Sequence, residues 1–414
     1  MLAKIAKAHR GIGYKSYHNV PWSPIIDLSI LRRTQLCGLL ADIMGDQSRK
    51  FTPRQRNRRP LGQPSSKNQA PTTPLPAPVK RGDYWYVAAP LSSRLYQKSG
   101  LGQTTSDGGI LLLSEEVLFC HWHRHMPLPY DSWFTEQLDL DSQHIARAVV
   151  FDVARSGGEL VIPAVHLKDE LAENIHPNTW AVRWRRDQLF GKEKPEAQAR
   201  WACTTDSVDI IELLDWASNV KSEGYIPELY IVDEEMDVTM YRLDNIDMEG
   251  NQKTWNELAE TEQDSIRQLW SQKLPWGDGW YIPSQQQWGW TAVGVEHMSG
   301  RLLRREEGEW LANLISNEDK SSNIDSLFAY LMAKGLIIRP GFKFGCRWRV
   351  YDAAVEKSHA PWLVQTESDA PSTWEGICLS VRLAEGVHKS WVCIIGQQDD
   401  WDCLQIKRWL PGKN

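Results

Sequence analysis

From residue 82 onward, the hydrophobic and polar positions follow two alternating rhythms. A period of two predicts strands, for example at residues 347–350 and 362–364, whereas apolar spacings of three and four predict helices at residues 143–155 and 326–334. Short antiparallel strands come first, and helices, further strands, a late helix and closing strands follow. This order predicts an α+β fold with a mixed sheet.

The same order of elements occurs twice along the chain, with small gaps. Residues 82–87 read GDYWYV, and residues 277–282 read GDGWYI. The other matched positions are Phe151 and Pro163 with Phe328 and Pro340, Trp180 with Trp348, Trp201 with Trp362, and Ala217 and Val220 with Ala384 and Val387. Such self-similarity predicts a tandem repeat of two units of one fold.

The repeat divides the chain into an extension, two units and a linker. Residues 53–78 contain seven prolines, so this part cannot bury enough apolar surface to fold. The predicted parts are a basic, proline-rich, largely disordered extension at 1–81, a first unit at 82–248, a linker at 249–276, and a second unit at 277–414, itself divided into 277–324 and 325–414.

The net charge of −6 conceals a strong asymmetry between parts of the chain. Residues 1–81 carry a net charge of +12, and the remainder carries −18. No stretch approaches the roughly 18 apolar residues of a membrane span, and the first ten residues lack the apolar core of a secretory signal. The seven cysteines form no CxxC pair, which favours reduced thiols in a cytoplasmic protein without a membrane partner.

A basic segment distinguishes the second unit from the first. Between residues 334 and 351 there are five cations and no acidic residue, and Lys343 is a candidate RNA-binding residue among them. Arg347 and Arg349 alternate with Trp348 and Val350, so they share one face of the predicted strand. The segment is either a solvated strand edge or a surface for an RNA backbone and its unstacked bases.

Three residues with proton-transfer or charged groups stand out in the second unit. Tyr351 ends a predicted strand, His359 lies in a loop just before the next strand, and Lys389 ends the late helix. Ungapped matching places Arg183, Gln198 and Ser222 at these positions of the first unit. The loss of all three groups together predicts one active unit and one scaffold unit.

These three groups fit metal-independent RNA cleavage. A 2′-hydroxyl attacks the neighbouring phosphate when a base removes its proton and an acid protonates the leaving 5′-oxygen. A histidine with a pKa of about 6.5 suits the acid, and a tyrosine becomes a better base beside an ammonium group. A lysine also stabilises the transition state. This chemistry needs no cofactor, and the sequence contains no convincing metal-ligand set.

Four motifs stand out in the second unit: GFKFG at residues 341–345, RVY at 349–351, HAPWLV at 359–364 and RLAEGVHK at 382–389. They resemble motifs of the archaeal tRNA-splicing endonucleases. The acidic stretch VDEEMDVTMY at 232–241 looks like the loop and strand that close a unit of this family. The resemblance covers residues 84–410 approximately.

The resemblance implies an enzyme that cuts precursor tRNA at a bulge–helix–bulge and leaves a 2′,3′-cyclic phosphate and a 5′-hydroxyl. It implies Tyr351 as general base, His359 as general acid and Lys389 as transition-state stabiliser. Arg382 is then one of two arginines that sandwich a bulge base. The second is Arg408, with Lys407 as the other candidate.

The family functions with four nuclease-like units, which for this chain implies a homodimer. An acidic assembly loop of the first unit would dock on a partner's active unit, although a solvated turn is the simpler interpretation; its acidic residues are Asp233, Glu234, Glu235 and Asp237. Two other functions remain open from the residues alone. One is a non-catalytic RNA-binding subunit, and the other is a metal-dependent DNA nuclease, which would need clustered acidic ligands.

Overall fold

The computed structural model describes residues 74–410, except for residues 189, 285, 287, 317–322, 357, 398 and 399. The described residues all lie in one compact unit. The extension predicted for residues 1–81 lies outside the described residues as far as residue 73. Disorder of residues 1–73 therefore stays a prediction. For the last three residues of the extension the prediction is wrong, because Val79–Arg81 form a strand that pairs with Tyr84–Tyr86.

Three β-sheets and ten α-helices form within the described residues. The strands are β1 (Val79–Arg81), β2 (Tyr84–Val87), β3 (Gln103–Thr104), β4 (Ile110–Leu112), β5 (Leu160–Pro163), β6 (Ala181–Trp184), β7 (Ala197–Cys203), β8 (Ile226–Val232), β9 (Val238–Asn245), β10 (Leu274–Trp276), β11 (Gly279–Pro283), β12 (Val295–His297), β13 (Gly300–Leu303), β14 (Ile337–Pro340), β15 (Trp348–Tyr351), β16 (Trp362–Thr366), β17 (Ser390–Gln397) and β18 (Asp400–Trp409). The helices are α1 (Leu91–Ser99), α2 (Ser114–Arg124), α3 (Trp133–Leu140), α4 (His144–Arg155), α5 (Asp169–Glu173), α6 (Ile210–Ser222), α7 (Glu260–Trp270), α8 (Arg305–Ser316), α9 (Asn323–Ala333) and α10 (Trp374–Gly386).

The largest sheet has ten strands in the order β14-β15-β16-β17-β18-β9-β8-β7-β6-β5. The two halves of this sheet have the same order of parallel and antiparallel pairs from the outer edge to the centre. The pairs β16–β17 and β7–β8 are parallel, and all other neighbouring strands are antiparallel. Helices α10 and α6 supply the crossovers that these parallel pairs require. The two small sheets are antiparallel, with the orders β1-β2-β4-β3 and β10-β11-β13-β12. The α+β prediction is confirmed.

Alternating side chains of the ten-stranded sheet enter two different cores. Cys393 packs with α6 and α10 on one face, whereas its neighbour Val392 packs with α9 on the other. Helix α4 packs on β5–β9 through Ala146, Val150 and Ala154. Because both faces are covered by helices, the functional groups of this sheet are confined to its strand ends and connecting loops.

Helix α10 shows how the sequence sets one border of the site. Trp374, Ile377, Val381 and Ala384 are buried at helical spacing, which turns Arg382 to the exposed side. The helix ends at Gly386, so the prediction that Lys389 ends the helix is wrong. Lys389 instead lies between the helix and β17: its N–H donates to Ala384 O in the last turn of the helix at 2.9 Å, and the next residue begins β17.

A buried glutamate joins each small sheet to the residues around it. Glu307 accepts hydrogen bonds from the Gly294 N–H at 3.2 Å and from Arg339 Nη1 at 2.9 Å. In the first half of the chain, Glu116 accepts from the Gly102 N–H at 2.9 Å and is 2.7 Å from His166 Nε2. Both carboxylates thus have the charged or polar partners that burial requires.

Candidate active site

Three neighbouring strands bring predicted site residues to one edge of the ten-stranded sheet. Val350 lies opposite Trp362, and Trp362 lies opposite Ser390. Strand β15 runs antiparallel to β16, and β17 runs parallel to β16. The end of β15 and the starts of β16 and β17 therefore lie side by side, and these strand ends form the edge described here. Neighbouring strands are about 4.8 Å apart, so Tyr351 and Lys389, the next residues outward, leave the sheet about 10 Å from each other.

The loop before β16 brings His359 to the same edge. Lys389 Nζ donates a hydrogen bond of 2.7 Å to the carbonyl oxygen of Ala360, the residue after His359. The Ser390 N–H also donates to Pro361 O at 2.9 Å, which ties this loop to the start of β17. The His359 side chain is exposed, so it is accessible to a substrate in solution.

Arg349 is the residue of this edge that the predicted site omitted. Its guanidinium carbon lies 5.9 Å from the Tyr351 ring centroid and 5.8 Å from that of Phe344. Its Nε donates to Pro340 O at 2.9 Å. The sequence signal was available, because residues two apart on a strand share a face, and Arg349 is two residues before Tyr351.

Two cations therefore lie near each other at this edge. Partial burial lowers the pKa of the Lys389 ammonium, and the positive charge of Arg349 lowers it further. Backbone carbonyls hold both groups, Ala360 O for Lys389 and Pro340 O for Arg349. The arrangement brings the buried phenol of Tyr351, the exposed imidazole of His359 and two positive charges to one edge of the sheet.

Residues 334–351 were considered as a basic surface for RNA, but three of their five cations pair with carboxylates of the protein. Lys334 pairs with Asp247 at 2.8 Å, and the buried Arg339 pairs with Glu307. Arg347 pairs with Glu306 and Asp369, at 2.6 and 3.0 Å. These carboxylates come from distant parts of the sequence, so the local absence of acidic residues gave a misleading picture. Lys343 is exposed, in a 3₁₀ turn at Phe342–Phe344.

A second group of predicted residues lines a cavity of about 430 Å³. Arg382 and Arg408 contribute positive charge to it, and the predicted assembly loop contributes the opposite charge through Asp233, Glu234, Glu235 and Asp237. Arg408 is held by Glu385, whose carboxylate accepts from the Arg408 N–H at 2.9 Å and lies 3.9 Å from its guanidinium. Lys407 is exposed and is not among the residues that line this cavity.

The acidic loop is a tight turn between β8 and β9. The Asp233 carboxylate accepts hydrogen bonds from the N–H groups of Glu235 and Asp237, both at 2.9 Å. Met236 has φ of 62°, and its side chain is exposed. The loop is thus a locally ordered feature beside two arginines of its own chain, and its docking on a partner stays a prediction.

The ladders of the sheet change the predicted matching between the two units. If Pro163 and Pro340 are equivalent, then so are Leu160 and Ile337, which lie three residues before them. Leu160 pairs with Trp184, and Ile337 pairs with Tyr351. The counterpart of Tyr351 is therefore Trp184, not Arg183.

The same counting revises the other two counterparts. Ala197, and not Trp201, then matches Trp362, and Tyr225 stands in place of Lys389. His359 lies in the loop before β16, which the ladders do not align, so they assign no counterpart to it. Gln198 and Ser222 were wrong because ungapped matching ignores differences in loop length. In this matching, the predicted first unit has Trp184 and Tyr225 where the predicted second unit has Tyr351 and Lys389.

Parts of the chain are similar to known proteins. Residues 326–402, which include the three site residues, match the family described as tRNA intron endonuclease, catalytic C-terminal domain. A tRNA-splicing endonuclease of Thermoplasma volcanium is 30% identical over 168 residues, which are 40% of this chain and 50% of that protein. One of Picrophilus torridus is 28% identical over 180 residues, 43% of this chain and 54% of that protein. The chain spans about half the length of these two relatives.

A longer match joins both halves of the chain. A tRNA-splicing endonuclease of Methanococcoides burtonii is 23% identical over 354 residues, which are 76% of this chain and 94% of that protein. Residues 326–402 are thus similar to the catalytic domain of the tRNA intron endonucleases. Over most of its length, the chain is similar to a protein named tRNA-splicing endonuclease.

Two further observations concern the described residues alone. No group of three or more His, Cys, Asp or Glu side chains among them is arranged to hold a metal ion. None of their helices is long and apolar enough to cross a membrane.

Proposed function

We propose that this protein is an RNA endonuclease that cuts precursor tRNA at its intron–exon boundaries. The observation that carries the proposal is the convergence of Tyr351, Lys389 and the loop after His359 at one sheet edge. This edge belongs to the segment that matches the tRNA intron endonuclease catalytic domain. The named relatives support a tRNA substrate and activity in tRNA splicing.

The proposed mechanism is a metal-independent attack of the 2′-hydroxyl on the adjacent phosphate. Tyr351 removes the hydroxyl proton, and His359 protonates the leaving 5′-oxygen. Lys389 stabilises the charge that develops on the phosphate oxygens, since preorganised cations act most strongly where charge develops. The products are a 2′,3′-cyclic phosphate and a 5′-hydroxyl.

The proposed substrate feature is a bulge–helix–bulge. Arg382 is exposed on α10 and lines the same cavity as Arg408, which supports these two as the pair that clamps a bulge base. Lys407 and Lys343 are exposed and can add contacts to the RNA backbone. Because Glu385 already holds Arg408, Arg382 is expected to contribute more to binding.

The proposed architecture is a tandem pair of units, with a scaffold at residues 82–248, a linker at 249–276 and the active unit at 277–414. The matching strand order of the two half-sheets supports it. Two chains form a homodimer with two active units, in which the acidic loop at residues 233–237 contacts the partner. We further propose that the protein acts in the cytoplasm.

The decisive experiment is cleavage of an intron-containing precursor tRNA by the purified full chain in EDTA. Cleavage at both intron ends to a cyclic phosphate supports the proposal. Tight binding without cleavage would instead indicate a non-catalytic RNA-binding subunit. Cleavage only with added Mg²⁺, or cleavage of DNA, would indicate a metal-dependent nuclease. A substrate with 2′-deoxy nucleotides at the two cut sites is the control, because it cannot supply the attacking hydroxyl.

A further inference from the structure

The charge around Arg349 and Lys389 is not balanced within the protein. Most arginines of the second half pair with a carboxylate, as Arg339 and Arg347 do. In the part of the chain that the structure describes, no carboxylate lies within ion-pair distance of Arg349 or Lys389. Their polar partners are the carbonyl oxygens of Pro340 and Ala360.

Two neighbouring cations without a counter-charge repel each other, and a bound anion relieves this repulsion. Each carbonyl holds one donor of its cation and leaves others available, since a guanidinium has five N–H donors and an ammonium has three. The guanidinium of Arg349 also lies near the rings of Phe344 and Tyr351, which limits its movement. A guanidinium held in this way matches the bidentate geometry of a phosphate.

We propose that Arg349 and Lys389 together form a binding site for an RNA phosphate group, and that Arg349 is a substrate-binding residue. This inference rests on the proposed function, because it takes the bound anion to be a phosphodiester of the RNA that the enzyme cuts. Arg349 lies beside Tyr351, and Lys389 lies beside the residue that follows His359. The bound phosphate is therefore within reach of both proton-transfer groups.

Arg347 provides a matched control for Arg349. Both arginines flank Trp348, but the charge of Arg347 is already neutralised by Glu306 and Asp369. Arg347→Gln should therefore lower the melting temperature without removing a phosphate contact. Arg349→Gln should remove a contact, and Arg349→Lys should retain the charge while losing the fork geometry.

The test measures binding of the full chain to a precursor tRNA that carries 2′-deoxy nucleotides at the cut sites, over a range of salt concentrations. Loss of one phosphate contact should reduce the slope of log affinity against log salt by about 0.7–0.9. We expect this reduction for Arg349→Gln, a slope close to that of the parent for Arg349→Lys, and an unchanged slope for Arg347→Gln. Arg349→Met, which keeps the aliphatic stem, replaces Arg349→Gln if that variant fails to fold.

An unchanged slope for Arg349→Gln and Arg349→Met overturns the inference, and so does an equal reduction for Arg347→Gln. Absence of binding by the parent chain also overturns it. The proposed function fails separately, when the parent binds this RNA but does not cleave its all-ribose form. In that case a reduced slope for Arg349→Gln still supports the phosphate site.

Discussion

The Lys389 ammonium donates a 2.7 Å hydrogen bond to the carbonyl oxygen of Ala360, the residue that follows His359. Lys389 therefore has two effects in the proposed mechanism. It supplies positive charge at the phosphate, and it holds the loop that carries the proposed acid. Groups that act as a unit give non-additive losses on mutation, and this contact makes Lys389 and His359 such a unit.

We predict that His359→Ala lowers the cleavage rate by about 10²–10⁴ and Lys389→Ala by about 10²–10³, with much smaller effects on RNA binding. The double variant should lose less than the product of the two single losses. Single-turnover cleavage and binding to the 2′-deoxy substrate, measured for all four proteins, test this. Fully multiplicative losses would show that the two residues act independently, and a single variant that cuts normally would remove that residue from the mechanism.

The pH dependence of cleavage should reflect the environment of Lys389. Burial and the charge of Arg349 lower the pKa of this ammonium. Because the proposed role needs the protonated form, activity should fall at a lower pH than an ordinary lysine would allow. Arg349→Gln removes one of the two causes, so the alkaline limb of the pH–rate profile should move to higher pH.

The control for this pH prediction is Arg382→Gln, at the exposed side of α10. It should lower affinity while leaving the position of the alkaline limb unchanged. An alkaline limb that stays in place in Arg349→Gln, or that moves to lower pH, contradicts the prediction.

Sequence patterns predicted where the proposed site residues lie in the sheet better than they predicted which charges are paired. Alternation placed Tyr351 at the end of a strand, and the next strand start placed His359 beside it. The same patterns could not separate Arg347 from Arg349, because Glu306 and Asp369, the partners of Arg347, lie 41 and 22 residues away. The residues of the predicted first unit that correspond to Tyr351 and Lys389 were also assigned wrongly. An ungapped comparison cannot account for loops of different length, which shift the alignment of the strands.

The two arginines of the 430 Å³ cavity should contribute unequally to RNA binding. Arg382 is exposed, whereas Glu385 holds Arg408 through both its backbone and its side chain. We predict that Arg382→Ala weakens binding of the 2′-deoxy substrate by about 5- to 30-fold, in the range of one cation–π or phosphate contact. Arg408→Ala should have a smaller effect, and Glu385→Gln should strengthen binding by releasing Arg408. Equal losses for both arginines would contradict this ranking.

His144 should make the fold sensitive to acid. Burial, and next the charge of Arg147, lower the pKa of His144 to about 4. The unfolded chain binds this proton below about pH 6.5, while the folded chain does not until about pH 4, so stability is lost as the pH falls through that window. His144→Gln should remove this loss, which is at most about 3 kcal/mol. The free energy of unfolding at pH 7 and 4.5 tests this, with the exposed His297→Gln as control.

His166 should act in the opposite direction. Burial opposes its protonation, but the Glu116 carboxylate outweighs this and raises the pKa of His166. The resulting stabilisation is fully present below about pH 6.5 and is lost as the pH rises through the folded-state value. The His144 prediction is contradicted if His144→Gln and the parent lose the same free energy of unfolding between pH 7 and 4.5. Other titrating groups would then determine the acid sensitivity.

A buried ion cluster in the first unit should stabilise the fold without taking part in cleavage. The fully buried Glu228 accepts from Arg183 Nε at 2.7 Å and Arg242 Nε at 3.0 Å, and the Trp409 ring stacks on both guanidinium groups, at 4.6 and 4.2 Å. We predict that Glu228→Gln lowers the free energy of unfolding by about 1–3 kcal/mol, because a neutral amide cannot accept from both guanidinium groups as the carboxylate does. Glu159 and Glu196 still pair with Arg183 in this variant.

The matched control is Glu212→Gln, which breaks the more exposed pair with Arg200 and should cost less than about 1 kcal/mol. Denaturant unfolding measures both values. Cleavage by Glu228→Gln well below its melting temperature should equal that of the parent chain, because Trp409 reaches this cluster from the last strand of the second unit and not from the site edge. A loss of cleavage in the fully folded variant would show that this half of the sheet contributes to the reaction, and the division into scaffold and active units would have to be revised.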